Sequence, residues 1–145
     1  MLTCAAMDPG HDWDSLAQAA RAARDLAYAP YSHFAVGAAF RMDDGSIVGG
    51  CNVENATSGL TLCAERVALS SAVASGRRRP VALAVSSPAS PPSAPCGLCL
   101  QTLAEFADDL PILLLNDGGE RRQVSLRQLL PQPFRLPGGF GRATR

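Results

Sequence analysis

The chain reads as an α/β protein in which a mixed sheet carries helices on its faces. Its 145 residues alternate between segments of helical and of strand-like apolar spacing. Two strand segments meet at a tight turn, as a hairpin does, whereas the later ones are separated by helical crossovers of the kind that parallel strands need. At 47% apolar and 18% charged, the composition supports one packed core and excludes a disordered or fibrous chain. The expectation is a single domain over 1–145, with flexible ends at about 1–12 and 136–145.

Each element has a local reason. Residues 13–27, WDSLAQAARAARDLA, put Leu16, Ala19, Ala20, Ala23 and Leu26 or Ala27 on one stripe, which predicts an amphipathic helix. Asp12 or Asp14 is its N-cap, and Pro30 breaks it. Residues 34–42 read as a strand, Asp43-Asp44-Gly45 as a hairpin turn and 46–53 as the returning strand. The stretch 62–76 is helical, capped by Thr61 or Ser58 and stopped by Gly76. Residues 81–86 suit a buried strand, and the proline-rich 86–95 suits only a loop. Helical character returns over 96–107, 111–115 is a second buried strand, and 124–130 adds a short strand and a turn of helix.

Charge and cysteine content narrow the class of function. Thirteen basic residues, all arginine, balance thirteen acidic ones, which argues against a binder of nucleic acid or of membrane surfaces. Without lysine the chain has no Schiff-base or phosphate-loop lysine. No signal peptide is expected, because the first residues lack a basic segment and a long apolar run. The run 111–115 is far too short to cross a bilayer. A cytoplasmic, reducing location is therefore expected. There the odd count of five cysteines points to buried, catalytic or metal-binding thiols instead of disulfides.

Two clusters carry the chemistry: Cys63-Ala64-Glu65 and Pro95-Cys96-Gly97-Leu98-Cys99, each at a predicted helix start. A C-x-x-C in the first turn of a helix favours thiolate, and by itself it admits a redox pair or two buried cysteines. A third cysteine at another helix start makes a tetrahedral zinc with one open position a third reading. Glu65 alone is compatible with a first-turn glutamate that favours the helix dipole. Beside Cys63, it is also placed to carry protons. A ligand, one residue, a glutamate and then P-C-x-x-C is the pattern of zinc deaminases, with an all-cysteine version known.

Together with 29–39 (APYSHFAVGAA), 50–56 (GCNVENA), 59–69 (GLTLCAERVAL), 101–106 (QTLAEF) and 129–134 (LLPQPF), these clusters resemble the cytidine deaminase family in its small homotetrameric branch. The resemblance runs from about Leu16 to Phe134. It implies a three-layer α/β/α sandwich with a mixed central sheet, and a Zn2+ held by Cys63, Cys96 and Cys99. Glu65 is implied as proton shuttle, and Asn52 and Glu54 as hydrogen-bond partners of the ribose hydroxyls. Phe34 is implied to pack beside the nucleoside, with the Ala64 amide on the pyrimidine O2 and the Ala94 carbonyl on the exocyclic amine. Arg66 would draw electron density from the sulfurs, its alternative being a surface ion pair. Phe134 would reach the base in a neighbouring subunit's site, its alternative being burial in its own core.

The activity so implied is hydrolytic deamination of cytidine or deoxycytidine to the uracil nucleoside and ammonia, in pyrimidine salvage, with no nucleic-acid or membrane partner. Two other readings are a deaminase of a modified or antibiotic-like cytosine nucleoside and a non-catalytic structural zinc module. The family usually has tyrosine at Ser58 and arginine at Leu100, and a smaller Ser58 is compatible with a bulkier substrate or a different subunit contact. Isolated His11 and His33 are not expected to bind metal. Cys4 reads as a terminal thiol and Cys51 as a buried strand residue.

Overall fold

In the computed structural model, residues 10–137 are described; Cys4 and most of the two expected flexible ends lie outside them. The chain runs α1 (Trp13–Arg24), β1 (Gly37–Met42), β2 (Ile47–Cys51), a 3-10 turn (Ser58–Leu60), α2 (Ala64–Ala74), β3 (Pro80–Ser86), α3 (Gly97–Phe106), β4 (Pro111–Leu115), β5 (Arg121–Ser125) and α4 (Leu126–Leu129). The strands form one mixed sheet in the order β2-β1-β3-β4-β5. β3 and β4 are parallel, and the other neighbours are antiparallel.

The period-two alternation of the strands sorts side chains into two cores. Phe40 and Met42 of β1, Leu83 and Val85 of β3, and Ile112 and Leu114 of β4 face α2 and α3. Ala39, Ala82, Ala84, Leu113 and Leu115 face the other way, against Trp13, Leu16, Ala17 and Ala20 of α1. The result is three layers, with α1, among the described elements, behind the sheet. Alanines on both sides of that seam let α1 come close.

Sheet order also sets where the helices begin. β2 and β3 are each antiparallel to β1, so they point the same way, and α2 crosses over β1 to join them. Gly37, at the start of β1, pairs with Cys51 on one side and Ser86 on the other. The exits of β2 and β3 therefore lie level at one edge of the sheet, and the N-termini of α2 and α3 follow from that edge. Crevices beyond the carboxyl ends of strands are where open α/β sheets place their ligands.

Several boundaries differ from the sequence reading, for tertiary reasons. Helix α1 ends at Arg24, not at Ala27, and Leu26 is 78% exposed. Pro30 is not the stop: the chain turns earlier because the Tyr28 amide donates to the Asn52 carbonyl, and the Glu54 amide donates to the Tyr28 carbonyl. Strand β1 starts at Gly37, not at Phe34, because Asn52 takes hold of the preceding segment. The N-cap of α2 is Cys63 itself, neither Thr61 nor Ser58, and Ser58 lies in the 3-10 turn. Cys51 is half-buried at the end of β2, its thiol 3.4 Å from the Leu26 carbonyl.

Candidate active site

Cys63 and Cys96 are the N-cap residues of α2 and α3, with extended backbones and no side-chain cap bond, so both thiols are left for another use. Cys99 lies three residues beyond Cys96, in the first turn of α3, where its side chain comes back to the same end of the helix. The three sulfurs lie within 4.8 Å of one another, with 3.8 Å between Cys63 and Cys96 and 3.6 Å between Cys96 and Cys99. Among the described residues no other histidine, cysteine or carboxylate ligand atom belongs to the cluster. His33 is exposed, and His11 lies edge-on to Trp13 at 5.4 Å.

Electrostatics bind these groups together. The Cys63 thiol is drawn down to about 5, chiefly by its hydrogen bond with the Cys99 thiol, with the Arg66 guanidinium adding to the effect. Cys99, on the other side of that shared proton, is pushed up. Among the described residues Arg66 pairs with no carboxylate; its Nη2 donates to the Thr61 carbonyl at 3.0 Å, just ahead of Cys63 in the chain. Its buried Nε has no protein partner. Glu65, at 5% exposure, has its carboxyl pushed up, mainly by burial and further by the neighbouring Cys63 charge. Three soft sulfur donors, with no fourth ligand among the described residues and a buried carboxyl alongside, fit a catalytic zinc better than a closed structural one.

The expected nucleoside contacts are distributed unevenly. Asn52 is buried, and its side chain clasps the segment before β1: Oδ1 accepts from the Val36 amide at 2.9 Å, and Nδ2 donates to the Phe34 carbonyl at 2.8 Å. Glu54 accepts at Oε2 from the amides of Tyr31, at 2.9 Å, and Ser32, at 3.2 Å, and at Oε1 from the Ser32 hydroxyl. These contacts hold its carboxyl below the ordinary range, the Ser32 hydroxyl contributing most. Both residues thus brace the loop that carries Phe34, whose ring is partly exposed. Ala64 is buried as the first residue of α2, and Ala94 is exposed just ahead of Cys96. Phe134 is 69% exposed, which sets aside burial in its own core.

Sequence reasoning missed one positioning group. Asn116, buried at the end of β4, donates to the Ala89 carbonyl at 3.0 Å and to Glu120 Oε2 at 3.2 Å, and accepts from the Glu120 amide at 3.0 Å. It pins the loop that leads to Ala94 and Cys96. The signal was faint: one asparagine after an apolar run reads as an ordinary turn residue.

Comparison with known proteins agrees with this geometry. The model of the cytidine and deoxycytidylate deaminase zinc-binding region matches residues 11–113. A cytidine deaminase of Halalkalibacterium halodurans is 46% identical over 124 residues, covering 85% of this chain and 94% of that protein. Among solved structures, the cytidine deaminase of Burkholderia pseudomallei superposes with a TM-score of 0.81 at 48% identity, covering 83% of this chain and 98% of the other. That of Mycobacterium tuberculosis gives a TM-score of 0.76 at 42% identity, covering 87% and 99%. With its three cysteines gathered at two helix starts, the chain belongs to the zinc-binding cytidine and deoxycytidylate deaminase family.

Proposed function

We propose that the protein hydrolyses the exocyclic amine of a free cytosine nucleoside, cytidine or deoxycytidine, releasing ammonia, and that it acts as one deaminase domain in pyrimidine salvage. The observation that carries this reading is the buried Glu65 carboxyl next to three cysteine sulfurs within 4.8 Å of one another. Cys63, Cys96 and Cys99 hold zinc. Bound there, the metal supplies Lewis acidity, which can bring the pKa of water from about 15.7 to about 7. Glu65 moves the protons in two turns: it takes one from the attacking water and delivers it to the ring N3, then takes the second from the hydroxyl left on C4 and delivers it to the departing amine, which leaves as ammonia while the C4 carbonyl forms. A carboxyl raised by burial suits a group that must both accept and donate near neutral pH.

The remaining groups orient the substrate. The Ala64 amide, a first-turn donor that the helix leaves without an internal acceptor, holds the pyrimidine O2. The Ala94 carbonyl accepts from the exocyclic amine, and Phe34 packs beside the nucleoside. Asn52 keeps one amide hydrogen and one lone pair beyond its loop contacts, and Glu54 keeps one lone pair at Oε1, for the ribose hydroxyls. Arg66 draws electron density from the sulfurs. The protein works in the cytoplasm as a homotetramer in which Phe134 reaches a neighbour's base. Exposed apolar side chains near the site, including Tyr31, Leu60, Leu62 and Leu98, support assembly. Described residues include no helix long and apolar enough to cross a membrane.

The test is to incubate the purified protein with cytosine nucleosides, nucleotides, free bases and bulkier cytosine nucleosides, and to measure ammonia. Nucleosides should be turned over and the Glu65→Gln variant should be silent. Turnover of nucleotides or bases without nucleosides would sink the substrate assignment. A preference for the bulkier nucleosides would favour the modified-nucleoside reading, and its loss in Ser58→Tyr would trace that preference to Ser58; equal profiles for the two proteins would count against it.

A further inference from the structure

The segment that follows α4 is attached to α3 in an unusual way. The side chain of Gln101 makes two hydrogen bonds to the main chain of Phe134: Nε2 donates to the carbonyl at 2.9 Å, and Oε1 accepts from the amide at 2.9 Å. One amide side chain thus mimics a strand partner for a single residue across 33 positions of sequence. Next along, Arg135 donates to the Ala104 carbonyl at 3.1 Å and pairs with Asp108 at 3.5 Å. Two of the anchor points, at 101 and 104, lie along one side of α3, and the third, Asp108, follows just past its end.

Apolar burial does not hold this strap. Phe134 and Leu136 are 69% and 54% exposed, and a cavity of about 310 Å³ is lined by Pro133 and Arg135 of the strap together with Ala104, Leu126 and Leu130. An aromatic ring left in solvent while both polar groups of its own main chain are secured is placed for something outside its own subunit. The helix that secures it is the one that carries Cys96 and Cys99. We infer that Gln101 is a positioning residue, which fixes the Phe134 ring at the angle where a second copy of the chain receives it into its nucleoside site. The inference rests on the proposed role of Phe134 in a neighbouring subunit. A ring on an untethered strap would still visit that site, but it would have to be ordered on every binding event, at an entropic cost that weakens substrate affinity. The bond-making steps, which belong to Glu65 and the cysteine cluster, would be left as they were.

The test compares Gln101→Met, Phe134→Leu and the double variant with the parent tetramer, measuring KM and kcat for cytidine, assembled mass by light scattering and zinc per chain. Methionine keeps the length and helix preference of glutamine but can neither donate to the carbonyl nor satisfy the amide. Gln101→Met is expected to raise KM about five-fold or more while kcat, mass and zinc content stay unchanged. In the Phe134→Leu background the same change should add nothing, since the ring it positions is gone. A KM equal to that of the parent, or effects that multiply in the double variant, would overturn the assignment of Gln101. Should Gln101→Met not accumulate as folded protein, Gln101→Glu carries the same test, because it keeps the acceptor for the amide and loses the donor to the carbonyl. If Phe134→Leu itself leaves KM unchanged, the role of Phe134 in the site has failed. If only the Gln101 variants are silent, the clasp has failed and the site stands.

Discussion

At the scale of single residues, Glu65 and Gly50 illustrate two different demands on the same helix start. Glu65 is kept in a place where its charged form is disfavoured, chiefly by burial, which raises its carboxyl above the ordinary range. The proposed proton shuttle rests on that shift. Glu65→Gln should therefore lower kcat about 10²-fold or more without lowering the melting temperature, because a neutral amide has no ionised form to bury. Steady-state ammonia release and differential scanning fluorimetry read the two halves of that expectation. Gly50 on β2 acts through space: a Cβ there would stand 2.4 Å from the Ala68 amide nitrogen and 2.9 Å from the Ala64 carbonyl oxygen. Gly50→Ala must push α2 away from the sheet, and Cys63 and Glu65 move with it. Zinc content and melting temperature should both fall in that variant, by metal analysis and calorimetry. A change confined to stability would show that the helix start is held by something other than its seat on Gly50.

At the scale of elements, the ends of α2 are unlike each other, and each says how much of the fold could be read from the chain. Its C-terminus is a local affair. Gly76 has φ +88°, its amide donates to the Val73 carbonyl and the Arg77 amide to that of Ala72, so glycine closes the helix in a Schellman motif. That stop was legible from sequence alone. Gly76→Ala should cost about 1–2 kcal/mol in chemical denaturation, with kcat and KM unchanged. Its N-terminus was misread at Thr61 and Ser58, because cap preferences favour hydroxyls, whereas the site needs a free thiol at that position. Similarly, Phe34 to Val36 alternate like a strand but are claimed by the Asn52 amide from another element. The cysteine spacing announced the metal cluster plainly. The clasps made by Asn52, Gln101 and Asn116 were not legible, since each joins residues whose nearness exists only once the sheet order is set.

The whole molecule responds to acid and to metal through different parts of its surface and core. Carboxyls of Asp12, Asp44, Glu54 and Asp117 all lie below their ordinary values, Asp44 at about 2 against 3.8, owing first to the Ser46 hydroxyl and amide and then to Arg77. A carboxyl depressed by folding stabilises the native state above its unfolded pKa and loses that contribution as pH falls through the folded value. These four carboxyls should therefore leave the melting temperature unchanged between about pH 7 and 5 and lower it from about pH 4 toward 2, less steeply at high salt. Metal acts elsewhere, tying α2 to α3 through their first turns. Chelation should lower both the melting temperature and activity, and added zinc should restore both. Recovery of stability without activity would mean that the cysteines hold a structural ion only. The sheet itself divides these duties. All of the cysteine cluster hangs from the face that bears α2 and α3, while α1 lies behind on a bed of Ala39, Ala82 and Ala84. A larger side chain in that rear seam should therefore register first as lost thermal stability and only secondarily in turnover, because the cysteine cluster hangs from the opposite face.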